Sequence, residues 1–200
     1  MKLEKYAGQS AIIVFLLLLG SCGLFNQARD FERFTQSKFD VNSLDVESIS
    51  GIDFTHVKQF SDLNFKDLIV LSNGLLSSHL PAKVRLNIGV TNLSDETASV
   101  SGMDWIILQK KQEIASGKLD SAVVVAGHGR TSFDINADVN LATILKLNSV
   151  NQILSVMSGN LDSKTLQKMQ LSVRLKPYYK LGNKIKKYPD YLTITPNFGQ

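Results

Sequence analysis

Lys83-Val84-Arg85-Leu86-Asn87-Ile88-Gly89-Val90-Thr91 is the most regular stretch of the chain, because apolar and polar residues alternate along it. An alternation with a period of two places the apolar side chains on one face of a β-strand and the polar ones on the other. A second alternating stretch runs from Phe133 to Leu141. Each stretch predicts a strand with one buried and one solvated face, which is typical of antiparallel sheets.

Shorter strands are predicted outward from these two. They occupy residues 39–47, 51–54, 100–109, 114–119, 171–176 and 191–195. The strand at 100–109 contains Trp105-Ile106-Ile107-Leu108, which predicts deep burial of the tryptophan in the core. Turn-forming residues such as Asn92-Leu93-Ser94-Asp95 separate the strands. The sequence therefore predicts a mainly β fold, an antiparallel β-sandwich of the immunoglobulin or fibronectin type III kind.

One or two accessory helices are predicted beside the sandwich. Apolar residues recur at helical spacing over residues 65–76, and Asp62 or Asn64 could cap the start of that helix. Helical spacing returns over residues 141–157, with a break near Asn148.

The first 22 residues have the layout of an export signal. Lys2 and Lys5 precede an apolar run over residues 11–19, which ends in Leu19-Gly20-Ser21-Cys22. This tetrapeptide resembles the lipobox of bacterial lipoproteins. The resemblance implies that residues 1–21 are a signal peptide that is removed, and that Cys22 is acylated with fatty chains such as palmitate and becomes the N terminus. The protein would then be attached to a membrane through Cys22.

Two other interpretations of this segment are less favoured. As a helix, the apolar run would be about 14 Å long, too short for a hydrocarbon layer about 30 Å thick. A signal cleaved without acylation would leave Cys22, the only cysteine, as an unpaired thiol in an oxidising compartment. Because Gly23 stands where an aspartate acts as a retention signal in some bacteria, we expect an outer-membrane anchor with the domain facing the periplasm.

Three segments follow from this layout: a signal peptide at residues 1–21, a lipidated cysteine and tether at 22–38, and one domain at 39–200. Without the signal, 179 residues with a net charge of +3 remain. This size suits a single domain, and the weak charge is not that of a nucleic-acid-binding protein.

Phe31 and Phe34 could dock on the domain or enter the bilayer surface, and the sequence does not decide between these alternatives.

The order of the strands resembles a known family. The strand and turn at residues 84–94 and the hairpin return Glu113-Ile114-Ala115-Ser116-Gly117 look like the late-embryogenesis-abundant type-two domain, also called the water-stress and hypersensitive-response domain. Bacterial lipid-anchored members end in a segment similar to residues 185–194, whereas Leu93 replaces a proline common in the family. The resemblance covers residues 41–195. It implies a desiccation-related β-sandwich, an association with stress tolerance and no established catalytic activity.

No catalytic or metal-binding pattern is present in the sequence. His56, His79 and His128 have no second histidine or cysteine at metal-ligand spacing, and no Gly-x-Ser-x-Gly elbow or phosphate-binding glycine loop occurs. The acidic and amide residues that alternate over 134–140 would spread over about 20 Å of strand. A solvated strand face is therefore favoured over a calcium site, and we expect no enzymatic activity, cofactor or metal.

A basic surface that carries tyrosines is predicted near the C terminus. Lysine is attracted to anionic headgroups and tyrosine rings favour the lipid interface, so this surface could contact anionic lipid or an envelope protein. The same lysines could instead protect an exposed edge strand from pairing with a neighbour, and this alternative is the favoured one. The surface consists of Lys176, Tyr178, Tyr179, Lys180, Lys184, Lys186, Lys187, Tyr188 and Tyr191.

Two functions of different classes fit the sequence. The first is a non-enzymatic, lipid-anchored envelope protein whose sandwich is an interaction or structural module. The alternative is a periplasmic carrier of lipid or another apolar ligand, because a packed core and a lined pocket use the same apolar residues. The sequence does not indicate an oligomeric state.

Overall fold

The computed structural model describes residues 26–54, 57, 59–146, 149–157, 170–181 and 184–196. The predicted signal peptide and Cys22 lie outside these residues. Within them, no helix combines the length and the apolar character that crossing a bilayer requires.

The described residues form a mainly β protein with a few helices. In chain order they are α1 (residues 26–35), β1 (Lys38–Ile49), β2 (Ile52–Asp53), a 3₁₀ turn (Phe60–Asp62), α2 (Phe65–Leu76), β3 (Pro81–Thr91), β4 (Ala98–Val100), β5 (Gly102–Gln109), β6 (Gln112–Leu119), β7 (Val123–Val125), β8 (Arg130–Asn140), α3 (Leu141–Leu145), α4 (Val150–Met157), β9 (Leu171–Leu181), β10 (Lys184–Lys187) and β11 (Leu192–Ile194). The strand pairs among these residues are antiparallel. The predicted mainly β, antiparallel sandwich is therefore confirmed.

The first sheet has the strand order β2-β1-β3-β8. β3 and β8 pair without a break along residues 81–91 and 130–140. Their apolar side chains face the core, since Leu86 is 3% and Ile135 is 1% exposed. Burial of each such side chain contributes about 1.5–3 kcal/mol. These strands contain the two alternating stretches of the sequence, and both strand predictions are confirmed.

The second sheet has the strand order β10-β9-β5-β6, and β11 also pairs with β9. β11 lies along residues 173–175 of β9 and β10 along residues 178–181, so two short strands share one edge. Trp105 of β5 is 5% exposed, which confirms its predicted place in the core. It is paired with Gly117 of β6, where any side chain would overlap the indole ring. Close packing of the ring therefore requires glycine at this position.

The remaining elements cover the ends and one side of the sandwich. A ribbon of β4 and β7 lies between β9 and β8. At α2, the Asn64 side chain accepts from the Asp67 N–H at 3.0 Å, and the Asp67 carboxylate accepts from the Asn64 N–H at 3.1 Å. This capping box identifies Asn64, rather than Asp62, as the N-cap. The predicted break in the later helix is also confirmed, because Lys146 ends α3 with a φ of 50°.

α1 lies in the segment that the sequence assigns to a tether, and it packs on the sandwich. Phe34 is 0% and Phe31 is 9% exposed, and the Phe34 ring meets Phe39 edge-on with centroids 5.4 Å apart. Arg33 pairs with Glu96 in the loop before β4. Of the two alternatives for the phenylalanines, the structure has the docked one, because docking removes two aromatic rings from water.

Asn92 is a buried polar residue that joins the turn after β3 to the ribbon of β4 and β7. It is 1% exposed. Its Nδ2 donates to the carbonyl oxygens of Glu96 at 2.7 Å, Ala126 at 3.1 Å and Val125 at 3.3 Å. Its Oδ1 accepts from the N–H and the hydroxyl of Ser94 at 3.0 and 2.8 Å. The turn predicted at this position is therefore stabilised by long-range contacts as well as local ones.

Candidate functional site

The predicted basic surface maps to β9, β10 and the residues that lead into β11. β10 pairs with residues 178–181 of β9. β5 begins opposite Tyr178, so residues 179–181 and their β10 partners extend beyond β5. This two-stranded segment, here called the β9–β10 hairpin, projects from one end of the second sheet.

The prediction that Tyr178 belongs to an exposed surface is wrong. Its side chain is 7% exposed, and its hydroxyl donates to Asp120 at 3.0 Å. Burial raises the pKa of the Tyr178 phenol, and the hydrogen bond to Asp120 and the charges of Asp120 and Asp104 raise it further. Asp104 also pairs with Lys187, so the Lys187 charge is partly neutralised. The contact of Tyr178 with Asp120 thus connects β9 to the loop after β6, and the ion pair of Lys187 with Asp104 connects β10 to β5.

The other tyrosines of the predicted surface are packing residues as well. Tyr179 and Tyr188 are half-buried, and their ring centroids lie 4.7 and 6.2 Å from that of Phe31 in α1. Tyr191 is half-buried under the Lys176 ammonium, which lies 5.0 Å from the ring centroid. The tyrosines thus position α1 and a lysine instead of offering free rings to a ligand.

Three lysines of the predicted surface remain free. Lys180, Lys184 and Lys186 are exposed, and no carboxylate of the described residues lies within ion-pair distance of them. Ile185, between two of them, is 55% exposed. β10 is also the edge strand of its sheet, where lysines discourage pairing with another chain. The hairpin therefore has Ile185 and Lys180 on one face and Lys184 and Lys186 on the other, and the three lysines have no ion pair among the described residues.

α1 begins at the same end of the sandwich as the hairpin. Gln27, in its first described turn, lines a shallow surface pocket with Ser101, Val124 and Tyr179. Tyr179 in turn pairs with Lys186 of the hairpin. We call this region the α1 end; it comprises α1, the hairpin, the turn at residues 92–97 and the ribbon of β4 and β7.

Exposed apolar side chains mark both ends of the sandwich. Four of the strongly exposed ones lie on α2, among them Phe65 at 76% and Leu76 at 86%. The others of the described residues lie at the α1 end: Leu93 at 65%, Val124 at 58% and Ile185 at 55%. The sequence gives no sign of this grouping, because an apolar residue in a short strand or helix is expected to face the core.

The end opposite α1 contains an apolar cavity of about 50 Å³ between the two sheets. Leu171 and Val173 of β9 line it together with Ile114 of β6 and Ile144 of α3. Since Tyr179 lies eight positions after Leu171 along β9, the cavity lies about 26 Å from the α1 end. Binding pockets for whole small molecules are usually about 300–1,000 Å³, so this cavity is much smaller than an ordinary ligand site.

The remaining polar candidates lie apart from one another. His128 contacts Asp95 at 2.6 Å on the surface, His79 is exposed, and His56 lies outside the described residues. On the outer face of β8, Asp134 accepts from Asn87 at 2.5 Å. Across the ranges that the structure covers, no three His, Cys, Asp or Glu side chains are placed to share a metal ion.

Comparisons with known proteins give little further information. No family model matches the sequence, and no curated protein matches it. One similar structure is the crystal structure of a protein from Archaeoglobus fulgidus. The match covers 57% of this chain and 85% of that protein, with 16% sequence identity and a TM-score of 0.30. A second is the X-ray structure of the Northeast Structural Genomics Consortium target SoR45. The match covers 80% of this chain and 81% of that protein, with 6% sequence identity and a TM-score of 0.35. At such TM-scores neither likeness implies a function.

Proposed function

We propose that this chain is a non-enzymatic, lipid-anchored protein of a bacterial envelope, held at the outer membrane by an acylated Cys22 and facing the periplasm. Its β-sandwich acts there as an interaction or structural module. The similarity of residues 41–195 to the late-embryogenesis-abundant type-two domain adds a proposed link to stress tolerance and desiccation.

The packing of α1 is the observation that carries this proposal. The described part of α1 begins at residue 26, and Phe31 and Phe34 are buried on the sandwich. Only three residues lie between Cys22 and residue 26, and the four Cα-to-Cα steps from Cys22 to residue 26 span about 14 Å at most. A lipid on Cys22 would therefore hold the folded domain beside the bilayer instead of at the end of a long tether.

The exposed side of α2 supports a role in interaction. Phe65 and Leu76 are among the most exposed apolar side chains of the described residues, and α2 leads into β3 at the end opposite α1. Exposed apolar patches on globular domains commonly mark surfaces that bind another protein. With Cys22 at the membrane, α2 would point away from it, where a second envelope protein could reach it.

Fractionation of cells that express the full chain tests the anchor. Wild type should carry a palmitate analogue, stay with membranes after an alkaline wash and depend on globomycin-sensitive processing. Cys22→Ala should lose all three properties, whereas Gln27→Ala, an exposed change in α1, should keep them. If Cys22→Ala remains firmly in the membrane with unchanged processing, the proposed anchor is wrong.

In-cell crosslinking tests the interaction surface. A photoreactive residue at position 76 should give one adduct of defined mass, and Phe65→Ser in the same chain should weaken it. A photoreactive residue at position 136, on the exposed outer face of β8, is the matched control and should not give that adduct. Equal adducts at both positions, or none at position 76, would refute a partner surface on α2.

A carrier of an apolar ligand is the second candidate, and the cavity between the sheets favours it. Because the cavity is only about 50 Å³, this function requires the sheets to separate at that end. Native mass spectrometry of the protein purified from membranes should then show close to one lipid per chain beyond the anchor. Val84→Ile, which fills the cavity, should displace that lipid, and Val90→Ile, outside the cavity, should not. A chain free of additional lipid would refute the carrier.

A further inference from the structure

We infer that the α1 end of the sandwich lies on the bilayer and that Lys180, Lys184 and Lys186 of the β9–β10 hairpin bind anionic phospholipid headgroups. Ile185, which shares a face of the hairpin with its partner Lys180, would rest at the lipid interface. This inference rests on the proposed lipid at Cys22 and adds to it a defined orientation of the domain.

The first step is the short reach of the anchor. Residue 26 is the first described residue of α1, and the chain from Cys22 to it spans at most about 14 Å. The intervening residues Gly23, Leu24 and Phe25 carry no charge. The point at which the chain enters the fold must therefore lie close to the bilayer surface.

The second step is the rigid contact between α1 and the hairpin. Phe31 packs on Tyr179 with ring centroids 4.7 Å apart, and Gln27 shares a surface pocket with Tyr179. Tyr179 is paired across the hairpin with Lys186. Since these are contacts between packed side chains and paired strands, whatever brings α1 to the membrane also brings the hairpin there.

The third step is the balance of charge at this end. Arg33 pairs with both Asp30 and Glu96 at this end, Asp95 lies 2.6 Å from His128, and Asp120 accepts from Tyr178. The exposed Arg29 and Glu32 of α1 have no ion pair among the described residues, and neither do Lys180, Lys184 and Lys186 of the hairpin. An unpaired lysine near an anionic membrane favours contact about fivefold, so three favour it about 100-fold.

The fourth step is the apolar surface that accompanies these charges. Leu93, Val124 and Ile185 are more than half exposed and lie at the α1 end. Protection of an edge strand from pairing with another chain explains the lysines on β10. It does not explain the exposed apolar side chains beside them, because such side chains favour association with other proteins. Apolar tips among lysines are instead typical of surfaces that rest at the boundary of headgroups and acyl chains.

The full mature chain, lipidated at Cys22, allows a direct test. With Cys22 acylated, Ile185→Cys introduces the only free thiol, which can carry a polarity-sensitive fluorophore. In vesicles of phosphatidylcholine mixed with phosphatidylglycerol, the emission should shift to the blue and be quenched by brominated lipid. In phosphatidylcholine alone, or in 1 M salt where the screening length falls to about 3 Å, both effects should be lost.

Two controls make the test specific. The same fluorophore at Leu76→Cys, at the opposite end, should respond to neither lipid. Changing Lys180, Lys184 and Lys186 to Gln should lower the contact equilibrium about 100-fold, whereas changing Lys66, Lys83 and Lys111 to Gln removes the same charge elsewhere and should leave it unchanged.

The outcomes separate this inference from the proposed anchor. A protein that reconstitutes into vesicles but shows no response at position 185, or the same response in neutral vesicles, overturns the orientation and leaves the anchor standing. A protein that is not acylated at Cys22 and does not reconstitute overturns both. A salt-sensitive response that depends on the three hairpin lysines supports the inference.

Discussion

Removal of the Asn92 side chain should destabilise the whole domain, although Asn92 lies in a turn. Its amide joins the turn after β3 to the carbonyl groups at the end of β7, and it is 1% exposed. Asn92→Ala would remove these contacts without changing the backbone turn sequence on either side.

The magnitude follows from the hydrogen bonds that are lost. Nδ2 has two hydrogens for three carbonyl oxygens, and the 3.3 Å contact with Val125 is the weakest. Four bonds therefore count, two from Nδ2 and two to Oδ1, each worth about 1 kcal/mol net. Once Oδ1 is gone, the single hydrogen of the Ser94 hydroxyl can turn to the Glu96 carbonyl, and the Ala126 carbonyl keeps the Gly129 N–H. We therefore expect a loss of about 2–4 kcal/mol.

Asn92→Asp gives a sharper test, because it replaces the donor by an oxygen without a large change of shape. Burial against carbonyl oxygens should raise the pKa of the new carboxyl in the folded protein above its unfolded value of about 3.9. The folded state then binds more protons than the unfolded state, so stability is lost as the pH rises through the folded pKa. Relative to Asn92→Ala, the Asp variant should be least stable at neutral pH and should improve as the pH falls.

Urea unfolding followed by the fluorescence of Trp105, the only tryptophan and 5% exposed, measures these effects. A loss of 3 kcal/mol should lower the midpoint by about 1–3 M urea. Asn136→Ala on the exposed face of β8 is the control and should stay within about 0.5 kcal/mol of wild type. An Asn92→Asp variant as stable as wild type at neutral pH, or with no pH dependence relative to Asn92→Ala, would refute the reasoning.

Three further variants test other parts of the structure. Gly117→Ala should cost about 1–3 kcal/mol and shift the emission of Trp105 because the new methyl overlaps the ring; unchanged emission, as expected for the exposed control Ser116→Ala, would contradict this packing. Phe34→Ala should cost about 3–5 kcal/mol and increase hydrogen exchange in residues 26–35, so a fully protected α1 in that variant would argue against docking. Tyr178→Phe should cost about 1 kcal/mol near neutral pH through its lost hydrogen bond. Since the pKa of Tyr178 is raised by burial, wild type should also lose stability more steeply than this variant above about pH 10, and parallel unfolding curves there would contradict the raised pKa.

The alternation of apolar residues predicts most of the strands, because a period of two directly reports one buried face. It works for β3 and β8, whose inward side chains are buried along their length. The continuous apolar run around Trp105 and the helical spacing after Asn64 also gave correct predictions, since both depend on residues close together in sequence. Interactions between residues close together in sequence were therefore sufficient to predict these elements.

The candidate site was less predictable because its contacts are long-range. The sequence places Tyr178, Tyr179 and Tyr188 on a basic surface, but it does not show that Tyr178 meets Asp120 or that Phe31 fills the space beside the other two rings. Composition therefore identified the exposed lysines of the hairpin but not the burial of Tyr178 or the packing of the other tyrosines. The same limit applies to Asn92, which the sequence identifies as a turn residue but whose partners lie up to 34 positions away.

The position of β9 constrains the order of folding during synthesis. β5 requires β9 as a neighbour, and β9 comes near the end of the chain, after β8 and both later helices. A nascent chain that has produced only β5 and β6 therefore has a hairpin without the strand that completes its sheet, and contacts of such large sequence separation form slowly. A nascent chain would therefore stay open until its last quarter is available, which is compatible with the proposed export, since an exported polypeptide passes unfolded through its channel.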